Sequence, residues 1–276
     1  GDGSYGPLRL PPARYRYAEV DVVVPPEPLH PGGLTFDLGT SVSHREPVVE
    51  YLAAPLKNTL ILAFAALVLD FVLGIFVGVV GATRPNTRLD HGLTLGSLFI
   101  YSMPGFWLAL MLVLLFSVKL DWLPSEGMHD PGESGFFDLL EHLILPAFVL
   151  GIAAAASTAR YQRSALLEVL NQDYIRTARA KGLGERTVIW KHAMRNSLLP
   201  VITLIGLSLP FLVSGAVITE TIFSWPGMGR TVIQAIHGRD VFVITGITLI
   251  STSLVVVGNL MADVLYALVD PRVRLK

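Results

Sequence analysis

The sequence contains no cysteine. That absence excludes a disulfide framework, a thiolate metal site and a cysteine nucleophile. Charge is scarce as well: charged residues make up 16% of the 276, against about 25% in an ordinary soluble domain. The 21 basic and 22 acidic side chains nearly cancel, so net charge selects no polyanionic partner. A soluble enzyme, a disordered chain and a nucleic-acid binder are excluded together. The chain has no G-x-x-x-x-G-K-[ST] loop to cradle a phosphate, no H-E-x-x-H helix and no G-x-S-x-G elbow. Its seven histidines are scattered, and none has metal-ligand spacing from another. Catalysis by this chain alone is not expected.

What the sequence does hold is long apolar runs, with apolar residues at 52%. A bilayer core about 30 Å thick takes roughly 20 apolar residues of helix. Five segments meet or approach that length, and expected spans fall at 56–82, 93–118, 142–159, 198–218 and 241–269. Backbone groups in lipid must be satisfied within the segment, so these runs are read as helices. A β-barrel would need alternating strands of about ten residues, which these continuous runs do not resemble. The expected fold class is all-α, a polytopic transmembrane helical bundle.

Lys and Arg set the orientation. The 160–196 loop holds eight: Arg160, Arg163, Arg176, Arg179, Lys181, Arg186, Lys191 and Arg195. Arg84 and Arg88 follow the first span, and Arg272, Arg274 and Lys276 close the chain. If all five segments span, these three regions share one side, which is expected to be cytoplasmic. Leu120 to His142 on the opposite side has six acids and no Lys or Arg. Residues 1–55 are then extracytoplasmic and the C-terminus is cytoplasmic. The N-terminal segment carries half of the 18 prolines and has no apolar h-region, so it is not a signal peptide. The simplest account of its export is a sixth, N-terminal span missing ahead of Gly1; direct translocation is the alternative. Glu19 to Val24 is a candidate short strand.

The basic loop is the most informative segment. It reads as two short helices, the first capped by Asn171 or Asp173 and stopped at Gly182 with Arg179 and Lys181 in its last turn. Gly184 and Glu185 open the second. Tyr174, Ile175 and Ala178 form an apolar stripe on the first helix, and Val188, Ile189 and Ala193 on the second. Spacing alone leaves two readings: an amphipathic helix on the membrane surface, or a docking knob for a partner.

The segment resembles the cytoplasmic loop of ABC-importer permeases, the binding-protein-dependent transport inner-membrane components. Of the general E-A-A-x-x-x-G pattern only Ala178 and Gly182 match. Asp173 to Leu183 and His192 to Pro200 are instead similar to the dipeptide, oligopeptide and nickel branch, with D-Y-x-R-T-A-R-A-K-G-L and H-A-x-R-N-x-L-L-P. Glu220 to Arg230, Asp37 to Ser41 and Leu268 to Arg272 add matches in order along the chain.

The resemblance implies an ABC type I importer permease fold and alternating-access import of peptides or a related small solute, possibly nickel, across a bacterial or archaeal inner membrane. It implies a second homologous permease, two cytoplasmic ATPases that hold ATP and Mg, and an extracytoplasmic solute-binding protein, all in membrane lipid and without nucleic acid. No cofactor, metal or catalytic residue is expected on this chain. ATPase docking is carried over to Asp173, Tyr174, Arg176, Thr177, Ala178, Arg179, Lys181 and Gly182. Glu220, Phe223, Trp225, Pro226, Gly227 and Gly229 are implied to form an outer gate or a binding-protein contact, without distinguishing the two.

Three further residues are pathway candidates. Asp70 is an acid near mid-span, functional by default, with a structural Asp at a helix interface as the alternative. Pro104 and Pro210 interrupt spans; broken helices line transport cavities, and prolines also occur as plain kinks. Asn259 and Asp263 share a helix face, which suits an inter-helix bond. A different class of protein, an ion- or proton-coupled secondary carrier, would use Asp70 and Asp263 as coupling acids.

Overall fold

The two apolar runs that bracket residues 93–118 fold into a pair of long helices packed in the same direction, and these organise the rest. The structure is a computed structural model. It describes residues 37–133, 135–202, 204, 216–261 and 264, and the backbone alone at 13–17, 20–24, 262–263 and 265–269. The chain divides into two units, 1–37 and 38–276. In the first, β1 (Ala13–Tyr17) pairs antiparallel with β2 (Val20–Val24), in register from Ala13 opposite Val24 to Tyr17 opposite Val20. Four valines in five positions of β2 suit a pleated strand.

The second unit is helical. α1 spans Val48–Thr83, α2 Arg88–Ser102, α3 Gly105–Lys119 and α4 Phe136–Leu170. α5 (Asp173–Ala180) precedes a helical stretch at 185–197, here α6. α7 (Val217–Ile222), α8 (Met228–His237) and α9 (Val241–Val269) complete the described elements. Among the described residues, three helices are long and apolar enough to cross a membrane, or four if α2 and α3 form one broken span. The expected 198–218 span lies largely outside the described residues.

α1 has 36 residues and α4 has 35, or about 54 and 52 Å at 1.5 Å per residue. Both exceed the bilayer core, so each helix carries polar ends beyond its apolar run. α4 accordingly begins at Phe136 and continues past Arg160 to Leu170, taking in residues that the sequence alone assigned to the basic loop. α1 likewise begins at Val48, ahead of residue 56.

The α1–α4 contact is built from small residues. A Cβ on Gly74 would come within 2.7 Å of Thr158, and one on Gly78 within 2.7 Å of Gln162 and 2.8 Å of the Ala159 carbonyl. Glycine at these positions, with Ala66 and Ala155 buried alongside, lets the backbones approach as membrane helices do. Another face of α1 carries bulky residues: Phe64, Val68, Val72 and Phe76, four apart, are all exposed. Small inside and large outside is the reverse of a soluble helix, and it suits a chain whose surroundings are hydrocarbon.

Pro104 lies where α2 ends and α3 begins, and the two helices turn by 101° there. The missing proline N–H removes the bond that would continue the helix, and Pro104 stands in an extended conformation at the break. α3 then widens into π-helical turns at Val113–Lys119.

Candidate functional site

The basic loop forms a compact hairpin. Gln172 occupies the N-terminal cap position of α5, with no side-chain capping bond, so neither Asn171 nor Asp173 is the cap. Gly182 turns the chain at φ +77°, a value only glycine adopts without strain. Across that turn the Arg179 guanidinium donates to both Glu185 carboxylate oxygens, at 3.1 and 2.6 Å. This hydrogen-bonded pairing holds the Glu185 carboxyl below its ordinary range. The Asn196 amide donates to the Tyr174 hydroxyl at 2.8 Å, tying α5 to α6.

The apolar stripes of the hairpin do not lie on a membrane surface. Ile175, Ala178, Val188, Ala193 and Met194 are buried against Val79 and Ala82 of α1 and Leu166 of α4. The hairpin is thereby seated on the ends of the two longest helices. Its open face is mixed: Asp173, Arg176, Thr177, Arg179, Lys181 and Gly182 are exposed, and so are Tyr174, Leu183 and Trp190. Of the eight residues assigned to docking, Ala178 alone faces the core.

Glu220 to Arg230 folds into a knot against α1. Glu220, Trp225 and Phe223 are fully or almost fully buried, and Pro226 is exposed. The Thr59 hydroxyl donates to one Glu220 oxygen at 2.7 Å, and the Arg230 backbone N–H donates to the other at 3.1 Å. Thr59 in turn accepts from the Met228 N–H at 2.8 Å. Burial pushes the Glu220 carboxyl up, against the pull of the Thr59 hydroxyl and the backbone N–H groups of Arg230 and Gly229. The Trp225 indole donates to the Asn58 carbonyl at 3.0 Å, and the Asn58 amide donates to the Pro226 carbonyl at 2.9 Å. A Cβ on Gly227 would collide with the Glu220 carboxylate, so the S-W-P-G-M-G string is what allows the acid to fit. The knot also reaches the loop after α3, where the Phe223 carbonyl accepts from the Gly127 N–H at 2.8 Å.

The remaining candidates are dispersed. Asp70 is buried where α1 meets α4 beside Thr158, and its Oδ1 has no hydrogen-bond partner among the described residues. It occupies a helix interface. Pro104 sits at the exposed α2–α3 corner with Phe99, Phe106 and Trp107. Pro210 and the side chain of Asp263 lie outside the described residues.

Sequence reasoning missed the partners that hold these parts. Arg163, counted among the charges of the loop, lies on α4 and grips Asp90 of α2 with two bonds of 2.6 and 2.7 Å. Asp240, which no motif singled out, accepts from the Ser41 hydroxyl at 2.6 Å and the Ser43 N–H at 3.0 Å, and caps α9 through the Val243 N–H at 3.2 Å. Thr59 and Asn58 are ordinary helix residues until the fold sets them beside the knot. The one available signal was the string from Asp37 to Ser41, which supplies Asp240's partner.

A bundle of long apolar helices, with a hairpin seated on the ends of two of them, defines a multi-pass membrane protein. Residues 71–275 match the family described as binding-protein-dependent transport system inner membrane component, and the chain belongs to that family. It is similar to the oligopeptide transport system permease protein AppB of Bacillus subtilis, 48% identical over 239 residues, covering 86% of this chain and 76% of that one. The di/tripeptide permease DppB of Pseudomonas aeruginosa is 43% identical, with 86% and 76% covered. The dipeptide permease DppB of Escherichia coli K12 is 42% identical, with 87% and 77% covered. Among solved structures, inward-facing forms of the MetNI methionine ABC transporter superpose with TM-scores of 0.66 and 0.67 at 20% and 22% identity, over 82% of this chain and 99% of that one. That likeness is one of fold. The chain is an inner-membrane permease subunit of an ABC importer, and ATP hydrolysis belongs to separate subunits. Family membership leaves the secondary-carrier alternative without support.

Proposed function

We propose that this chain forms one half of the translocation pathway of a peptide importer. The names of its relatives, at 42–48% identity over most of the chain, supply the solute class. A second permease of the same family completes the pathway, two ATPases holding ATP and Mg drive it, and an extracytoplasmic binding protein delivers the peptide. The hairpin at 173–196 is the ATPase dock. The observation that carries this assignment is its two-sidedness: apolar residues sunk between α1 and α4, charged residues presented outward on a turn braced by Arg179 and Glu185. Force applied to such a projection moves the long helices rather than bending a loop. The 220–230 knot serves as the frame of the outer gate, because Glu220, Phe223 and Trp225 are buried and bound to α1 and the loop after α3 while Pro226 stays exposed. The basic side is cytoplasmic, with residues 1–55 outside.

The test is Gly182→Trp in the reconstituted importer. A Cβ there meets nothing within 4 Å, so any packing change is confined to the strained turn and the docking face. Peptide-stimulated ATP hydrolysis and uptake should fall at least about tenfold, the equivalent of 1.4 kcal/mol, while the chain still inserts and pairs with its partner permease. Normal coupled uptake would remove the docking assignment.

A further inference from the structure

The loop after α3 turns back on the start of α4 and gathers four metal-ligating side chains with no part in the roles above. Asp138 and His142 stand one turn apart on α4; His129 and Asp130 come from the loop. The His129 Nδ1 lies 2.5 Å from Asp138 Oδ2, and the Asp130 backbone N–H donates to Asp138 Oδ1 at 3.1 Å. His142 is the telling residue. Its side chain is 3% exposed. Its Nδ1 donates to the Asp138 carbonyl at 3.0 Å. A carbonyl only accepts, so Nδ1 is the donor here, and Nε2 is the ring nitrogen left for a further partner. Nε2 faces Asp130 Oδ1 at 3.7 Å, beyond hydrogen-bond reach. A buried imidazole nitrogen and two carboxylates converging on one point, two of the three side chains buried, make the donor set of a divalent metal site.

We propose that Asp130, Asp138 and His142 bind a divalent transition-metal ion of the zinc class. One ligand atom from each already lies within 4.8 Å of the others. Tetrahedral zinc with bonds of about 2.0–2.2 Å places its ligand atoms roughly 3.3–3.6 Å apart, so the His142–Asp130 edge is close to the required length. Asp130 is exposed and free to rotate inward. An imidazole nitrogen with two carboxylates favours zinc over magnesium or calcium, which take oxygen ligands. His129, bonded to the far oxygen of Asp138, acts as a positioning residue that fixes that carboxylate. Access runs through a cavity of about 660 Å³ bordered by Ser117, Glu126, His129, Asp130 and Arg230, which leaves room for water in the fourth position. The bound ion would staple the 127–130 turn to α4, beside the Gly127–Phe223 bond that joins this loop to the knot.

The test uses the full chain, free of any histidine tag, in detergent. It is stripped with chelator and titrated with Zn²⁺, Mn²⁺ and Mg²⁺ by calorimetry, with bound metal counted by mass spectrometry. The expected result is one Zn²⁺ per chain, a raised melting temperature, and no displacement by Mg²⁺. His142→Ala and Asp130→Asn should abolish that equivalent, and His129→Ala should weaken it by about 10–100-fold. Asp130→Asn changes an exposed side chain, so its metal-free melting temperature should equal the wild type's, which separates lost ligation from lost folding. Failure of the wild type to bind Zn²⁺, or unchanged stoichiometry in Asp130→Asn and His142→Ala, would overturn the site.

Discussion

Single buried acids decide how the irregular parts of this chain are held, and each is held by donors from distant sequence. Both Glu220 oxygens accept, one from a hydroxyl and one from backbone N–H groups. The group therefore acts as a clasp between α1 and the knot. Asp240 plays the same part at the start of α9. Burial alone would raise its carboxyl, but the Ser41 hydroxyl and the backbone N–H groups of Ser43, Val243 and Val42 outweigh that and hold it below the ordinary range. A depressed carboxyl stabilises the folded state above its unfolded value of about 3.9, and that contribution is lost as pH falls through the folded value. The wild type should accordingly melt above Asp240→Asn at pH 7, and the gap should close as pH drops below about 4. Thermal melts of both proteins in detergent from pH 7 to pH 3 check this; a gap independent of pH would refute it.

At the scale of elements, α1 and α4 are the frame, and the small residues between them set its tolerance. Replacing Gly78 by Leu places a branched side chain where a Cβ already meets Gln162 and the Ala159 carbonyl. Overpacking of this kind costs about 1–3 kcal/mol, so Gly78→Leu should lower the melting temperature and reduce the yield of folded protein. Gly92 on α2 has nothing within 4 Å of an added Cβ. Gly92→Ala should be neutral or stabilise by up to about 1 kcal/mol through helix propensity. Equal effects at the two glycines would contradict the packing described. The bidentate Asp90–Arg163 pair fixes α2 to the same frame, which leaves the 101° corner at Pro104 as the point where α3 departs from it.

For the whole molecule, the frame joins two ends of different character. One end carries the basic hairpin, seated on α1 and α4. The other carries the acidic loop, its histidine–aspartate cluster and the buried knot. Topology reporters distinguish the two ends directly. Alkaline phosphatase fused within 126–130 should be active, and fused near 184 inactive, while a cytoplasmic reporter gives the opposite pattern. Activity of both phosphatase fusions would refute the assigned orientation.

The sequence by itself determined the class of this protein. Long uncharged runs leave a helix bundle in lipid as the only way to satisfy the backbone, and the strings at 173–183, 192–200 and 220–230 point to the permease family through local order alone. The hairpin was legible for the same reason, since α5, the Gly182 turn and α6 are neighbours in sequence. Only the tertiary structure decided which face of that hairpin is open, because Ile175 and Ala178 look alike whether they meet lipid or Leu166. It also decided that Asp70 stands at a helix interface, that Asp90 belongs to Arg163, and that Glu220 belongs to Thr59. These partners are 73 and 161 residues apart in sequence. The histidines that looked scattered are gathered for the same reason: a loop that folds back on α4 brings His129 and Asp130 to Asp138 and His142. Periodicity records what a helix does to its neighbours in sequence, and it carries no trace of where the next helix crosses it.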